Sequence, residues 1–219
     1  MKPMNSPVNA SQLGAASSQS KSRTPLVIIF LMSLAPVLGA VLMYFNPDWR
    51  PDGSAAYGQF IEPQRPMPSA SALKLTTLDG QPFDLNTLKG KWLLTAADRG
   101  DCQDACARKL YILRNSHASQ GKNVERLMRV WFITDDAPVP EKVLEAYKGT
   151  VMLRVDPAQL KQFLTTSTAT HGTADAAALA QHMWIIDPLG NLMMEYPADA
   201  IGEKVRKDIS KLVYNSRVG

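Results

Sequence analysis

"KWLLTAADRGDCQDACARKL", residues 91–110, is the stretch on which the fold turns. It begins with an apolar run from Trp92 to Ala97 that is too short for a helix and is cut off by the polar residues Asp98, Arg99, Gly100 and Asp101, so it reads as a buried strand. A helical pattern follows from about residue 103 to 120, with Cys106, Leu110 and Leu113 recurring on one side at i, i+4 and i+7. The only two cysteines of the chain, Cys102 and Cys106, therefore fall where a central strand turns into a helix. Ligands in α/β sheets gather beyond the carboxyl ends of the strands, and a helix N-terminus favours thiolate over thiol. Three uses of the pair stand open: a structural disulfide, a redox couple, or two soft ligands for a metal. A bridge across one helical turn closes so short a loop that it removes little unfolded-state entropy, which argues against a mere staple. Two thiolates at i and i+4 share a helix face and can meet one soft ion such as Cu(I).

The flanks supply the rest of the fold. "ALKLTTLDGQPFDL" (72–85) reads as a strand, a turn at Asp79-Gly80 and a short returning strand. Downstream, "LMRVWFITDD" is a second buried strand, "EKVLEAYKG" a short helix, "VMLRVD" a third strand and "PAQLKQFL" another helix. "HMWIIDPLGNLMMEYP" forms two strands joined through "DPLGN", and Asp199 is placed to cap a last helix that turns Ile201, Val205, Ile209 and Leu212 to one face. Strands alternating with helices and closing on a hairpin and a helix specify an α/β sandwich with a mixed sheet.

Ahead of this domain (71–219) lie three appendages. Residues 1–24, rich in Ser, Ala, Gln and Asn, read as a disordered cytoplasmic tail. Residues 25–45, "PLVIIFLMSLAPVLGAVLMYF", carry no charge and match the hydrocarbon thickness of a bilayer, with Pro36 a tolerated kink. Lys21 and Arg23 precede this span, so the positive-inside rule leaves the N-terminus in the cytoplasm and exports the rest. Residues 46–70, with five prolines, read as an extended linker in which Trp49 and Tyr57 sit at the membrane interface or pack on the domain. The net charge of +4 comes mostly from Lys2, Lys21 and Arg23, so the domain has no basic face for nucleic acid.

Other candidate groups have plainer uses. Asp135 and Asp136 read as turn chemistry before Pro138 rather than an acid/base pair. Asp98 and Asp101 flank the cysteines and oppose a thiolate. His117 reads as solvated or helix-capping, His171 as a weaker candidate ligand because a loop residue must be ordered to bind, and Met193 and Met194, which could also suit copper, as core. No phosphate loop, Ser-His-Asp order or repeated zinc spacing is present.

The ordered set "LDGQPFDLNTLKGKWLL", C-x3-C entering a helix, "RVWFITDDAPVPEKVLEAY" and "MWIIDPLGNLMMEYP" resembles the Sco/SenC branch of the thioredoxin-like superfamily over most of residues 70–214. The resemblance implies a thioredoxin-like fold and a membrane-anchored chaperone that binds Cu(I) and hands it on through the C-x3-C pair, the alternatives being a thiol-disulfide reductase or a non-catalytic assembly factor that has lost metal binding. Such a protein helps build the dinuclear copper centre of cytochrome c oxidase. Its partner would be the oxidase subunit carrying that centre, or another assembly factor, and its place the bacterial inner membrane with the domain in the periplasm. It further implies Cu(I) held by Cys102, Cys106 and a distant His. Two positions depart from the family pattern: Ala107 stands where a proline follows the second Cys, and Leu179 stands where the His is expected. His182, three positions on, is the nearest imidazole and the candidate third ligand. If the chain is an enzyme, it is a thiol-disulfide oxidoreductase.

Overall fold

The structure is a computed structural model that describes residues 23–46, 56–164 and 176–218. It falls into two units, one ending at Gly53 and one beginning at Ser54. In the first, α1 (Thr24–Phe45) is a helix of 22 residues with no buried side chain and with Pro36 inside it. Its 18 most apolar consecutive residues have a mean hydropathy of 2.7, and at 1.5 Å per residue the helix is about 33 Å long, enough to cross a bilayer. Residues 1–22 of the expected tail, Trp49 and most of the linker before Ala56 lie outside the described residues, while Thr24, expected in the tail, begins α1.

The second unit is built on eight strands: β1 (Gln59–Pro66), β2 (Leu75–Thr77), β3 (Pro82–Phe83), β4 (Trp92–Asp98), β5 (Leu127–Ile133), β6 (Val151–Val155), β7 (His182–Ile186) and β8 (Asn191–Pro197). They form one mixed sheet in the order β1-β8-β7-β4-β5-β6-β2-β3. The centre is parallel, β4 beside β5 and β5 beside β6, while β7 and β8 return antiparallel. Parallel neighbours need crossovers, and these are α2 (Asp104–Ala118) and α3 (Glu141–Ala146). The remaining helices are α4 (Pro157–Leu164), α5 (Ala176–Leu179) and α6 (Gly202–Asn215). This is the expected sandwich of a mixed sheet flanked by helices.

Alternation along the strands divides the core in two. Leu94 and Ala96 of β4 with Met183 and Ile185 of β7 pack toward Leu110 and Leu113 of α2 and Val205, Ile209 and Val213 of α6. Leu93 and Ala97 with Trp184 and Ile186 pack on the other face, toward Leu160, Phe163 and Leu164 of α4 and Leu179 of α5. Burial on both faces explains why β4 and β5 are continuous apolar runs without alternation.

Two expectations need correction. Within residues 46–70, taken as linker, Gln59–Pro66 is an edge strand paired with β8. Its prolines lack a donor, which a sheet edge tolerates, so the feature that suggests a linker also suits this position. Ile61 is its one deeply buried side chain, at 2% exposure, too little apolar pattern to show in the sequence. Asp199 does not cap α6: the cap position is Ile201, and no side chain there accepts a hydrogen bond. Tyr57 packs on the domain, its ring stacked 6.2 Å from Tyr196 with the Lys204 ammonium 5.0 Å above it.

Candidate redox site

The loop from β4 to α2 is built around Gly100. Its N–H donates to Asp135 Oδ1 at 2.8 Å, and a Cβ at this position would overlap the Ala137 carbonyl oxygen. Asp135 also accepts from Ala137 N–H at 3.3 Å, so it does perform turn chemistry while tying the Cys loop to the end of β5. Thr134 N–H adds a bond to Asp98 O at 3.0 Å, and Arg154 donates to the carbonyls of Asp135 and Ala137. Gly100→Ala forces backbone against backbone, and overpacking of this kind costs about 1–3 kcal/mol. Thermal unfolding of the variant is expected to show a lower midpoint, whereas Asp101→Ala, which removes an exposed pair with Arg99 and an exposed hydrogen bond from Gln103, leaves it nearly in place.

The chain then makes a turn closed by Cys102 N–H donating to Arg99 O at 3.2 Å. Cys102 adopts φ +42°, a left-handed conformation that costs a residue with a Cβ about 1–2 kcal/mol. The helix begins only at Asp104, so the expectation that both cysteines sit at i and i+4 on one helix face is corrected. The turn instead curls Cys102 back over the first turn of α2. The two residues are joined as a disulfide with their Cα atoms 5.0 Å apart. Cys102 is the more accessible at 8% exposure; Cys106 is at 2%. The first-turn amides of α2 place a partial positive charge here, which stabilises a thiolate once the bridge opens.

Three residues after Cys106 on α2 stands a buried group not anticipated from the sequence. Lys109 has no exposed surface, and its ammonium reaches Asp98 Oδ2 at 2.8 Å, Ala97 O at 2.7 Å and Ala180 O at 2.6 Å. Burial lowers the amine below the usual lysine range, and the hydrogen bond and charge of Asp98 pull it back up. Three acceptors match the three donors of an ammonium. Asp98, expected to oppose a thiolate, is thus neutralised. The signal was available: Lys109 is a charged residue directly before Leu110, on the stripe that also carries Cys106 and Leu113.

The structure does not bring His182 to the cysteines. It shares the face of Trp184, whose ring centroid is 6.0 Å from the imidazole, while Met183 occupies the face toward α2. Its Nδ1 lies 3.4 Å from Ala178 O. His182 is the first residue of β7, and alternation along the strand puts it with Trp184 and Ile186 rather than with Met183 and Ile185, which pack in the cluster of the cysteines. Leu179 itself is 1% exposed in the apolar cluster with Leu160 and Trp184, so an aliphatic chain fills the expected ligand position. Among the described residues no three His, Cys, Asp or Glu side chains gather as a metal site. His171 lies outside the described residues. Met193 and Met194 are core, as expected. Burial and the nearby Arg129 hold His117, in the last turn of α2, below the ordinary imidazole range.

A strand, a turn bearing a disulfide and a helix, on a sheet of this order, define a thioredoxin-like protein. The chain belongs to the family described as transmembrane-like, thioredoxin-like, C-terminal domain, whose profile matches residues 92–216. Among solved structures, Arabidopsis thaliana ScoI with copper bound is similar at 18% identity and TM-score 0.49, the match covering 65% of this chain and 96% of that one. A SCO1/SenC family lipoprotein from Bacillus anthracis str. Ames matches at 18% identity and TM-score 0.48, over 69% and 98%. A thioredoxin family thiol:disulfide interchange protein from Chlorobium tepidum TLS matches at 16% identity and TM-score 0.49, over 68% and 96%. The Sco/SenC proteins anticipated from the motifs stand among the structural neighbours. Compared with curated proteins, the sequence has no match.

Proposed function

We propose that this chain is a membrane-anchored, Sco-like thiol–disulfide exchange protein that acts through Cys102 and Cys106. The observation that carries this reading is the Cys102–Cys106 bridge at the strand-to-helix turn, with Cys102 the more exposed residue of the two. In the reduced domain the Cys102 thiolate attacks one sulfur of a partner disulfide. A bond forms between Cys102 Sγ and that sulfur, the partner's bond breaks, and its other sulfur leaves as a thiolate that takes a proton from solvent. The Cys106 thiolate then attacks Cys102 Sγ and releases the partner's second thiolate. The partner has gained two electrons, the domain holds the bridge, and a reducing dithiol in the same compartment restores it.

α1 would hold the domain at the bacterial inner membrane, with Lys21 and Arg23 on the cytoplasmic side and the domain in the periplasm, a compartment where such a bridge persists. From the resemblance to Sco/SenC proteins, the partner is the cytochrome c oxidase subunit carrying the dinuclear copper centre, or an assembly factor that serves it. Its copper-site cysteines must be reduced before they take metal. Full-length Cys106→Ser in membranes is expected to accumulate a mixed disulfide through Cys102 to such a partner. A Cys102 thiol that alkylates readily yet traps no protein would overturn the reading.

Cu(I) as cargo is the second reading, favoured by two sulfurs held within reach of one soft ion. The residues present do not fit the three-ligand site that the resemblance implies, because Leu179 fills the ligand position and His182 faces away. Any Cu(I) taken up by the reduced chain is therefore expected to depend on both cysteines and to be indifferent to His182→Ala. Competition with a Cu(I) chelator checks this. A fall in affinity of roughly tenfold, the size of a lost ligand or its support, would restore His182 to the site.

A further inference from the structure

We infer that the outer face of α6 is a docking surface for anionic phospholipid headgroups, through which the domain seats itself on the bilayer that anchors the chain. This rests on the anchored reading above and not on the exchange chemistry.

The path of the chain brings this helix to the membrane. Ten residues, 46–55, separate α1 from Ala56, and a segment of that length reaches at most about 36 Å when fully extended. The chain then joins the domain at α6. Asp208 Oδ2 accepts from Tyr57 N–H at 2.7 Å and from Gly58 N–H at 2.9 Å, and the Tyr57 hydroxyl accepts from Ile201 N–H at 3.2 Å. The Lys204 ammonium lies 5.0 Å above the Tyr57 ring. The point where the tether ends is therefore fixed to the first half of α6 itself, and a short tether keeps that helix within reach of the headgroups.

The face that α6 turns outward has the composition such a surface needs. Val205, Asp208, Ile209 and Val213 are its buried side. On the opposite side stand Lys207, Lys211 and Tyr214 at i, i+4 and i+7, with Lys204 three positions before Lys207. All four are exposed, Tyr214 at 73%. Glu203 is the one acid among the exposed residues of the helix, and Lys207 neutralises it at 2.9 Å. Ile201, just ahead of the helix, is 52% exposed and extends the face with apolar surface. Lysine stems lie along a membrane surface while their ammonium groups reach phosphate, and tyrosine favours the interface. A helix with this division of residues lies in the headgroup plane.

The small net charge of the domain hides the stripe, because a sum over the sequence does not say where charges stand. Three lysines on one face are too few for nucleic acid, which is held through many clustered basic contacts. They suit an anionic bilayer, near which each lysine strengthens binding about fivefold. Because α2 and α6 pack together on one side of the sheet, docking through α6 also sets the height of the Cys102–Cys106 bridge above the membrane.

The test uses the full-length chain in lipid nanodiscs, with isoleucine methyl labels and a gadolinium-headgroup lipid as the probe. Ile201 reports on α6, and Ile186, packed on the other side of the sheet, is the reference. In discs containing phosphatidylglycerol the Ile201 methyl is expected to relax several-fold faster than the Ile186 methyl. The excess is expected to vanish in discs of phosphatidylcholine alone and at high salt, which screens exposed charges. Lys204→Gln with Lys207→Gln and Lys211→Gln is expected to lower the ratio of docked to free domain about a hundredfold and to abolish the excess. The lipid and salt arms use the wild-type chain and decide the matter if this variant folds poorly. Equal relaxation of the two methyls in phosphatidylglycerol discs, or an excess that survives high salt or the folded variant, overturns the inference. A shift of Ile201 on adding poly-glutamate, with no effect of lipid composition, assigns the face to an acidic protein segment and overturns the lipid. A chain that does not stay in the discs overturns the anchor, and the docking with it, a failure seen before any relaxation is measured.

Discussion

Cys102→Ser is expected to reduce the exchange of the chain with oxidised glutathione to the uncatalysed background, while Cys106→Ser reacts once and stops. The asymmetry follows from position. Cys102 lies in the turn ahead of α2 and is the more exposed residue of the pair; Cys106 lies inside the helix at 2% exposure. Without Cys102 no sulfur is presented to a partner. Without Cys106 the mixed disulfide forms but loses its intramolecular rescuer. A resolving thiol held in bonding geometry has an effective concentration on the order of 10⁵ M or more, so its removal slows release by roughly a thousandfold at the least against millimolar thiol. Stopped-flow release of glutathione, with mass analysis of the trapped adduct, separates the two variants. Equal loss in both, with no adduct from Cys106→Ser, would mean that the roles are reversed or that neither sulfur attacks.

The second large effect lies far from the cysteines. Asp208 on α6 is 4% exposed, and one of its oxygens accepts from Tyr57 N–H at 2.7 Å, Gly58 N–H at 2.9 Å and the Tyr196 hydroxyl at 3.4 Å. It therefore fixes the segment that leads into β1. Asp208→Leu leaves those donors without an acceptor, and unsatisfied buried donors cost about 1–3 kcal/mol each. The expected total, roughly 3 kcal/mol or more, lowers the unfolding midpoint by about 6–12 °C in a domain of this size. Asp208→Asn keeps one acceptor oxygen and is expected to lose less than half as much. Tyr57 packs beside this clamp, and Gly58 has room only for hydrogen, since a Cβ would come within 2.5 Å of Met194 Sδ and Tyr196 Cε1.

How much of this was legible differs by element. β4, β5 and α2 were plain, because strands buried on both faces read as apolar runs and the stripe of α2 keeps its period. The hairpin at Asp79-Gly80 was plain too, with Gly80 at φ +81° as such a turn needs. β1 was hidden: one buried isoleucine among prolines and charges carries no period, and what holds the strand is backbone pairing with β8 and a carboxylate about 150 residues away. The Cys pair was legible as a site, but its geometry was not, since nothing local says that Cys102 leaves the helix for a left-handed turn. The face His182 takes was not legible either, because a shift of one residue along β7 changes the face of the sheet. Lys109 could have been found by asking why a charge stands on a buried stripe.

Thiol–disulfide exchange requires that the bridge between Cys102 and Cys106 open and close in the folded protein. The most direct measurement incubates the full-length chain in membranes with glutathione buffers of graded redox ratio, quenches with a thiol-alkylating mass tag, and counts tagged cysteines. The predicted result is a reversible, two-electron transition between doubly tagged and untagged chain, reached from either direction at the same ratio. A pair that stays untagged in the folded chain even in excess dithiothreitol, and is tagged only after unfolding, is a structural staple and contradicts the account.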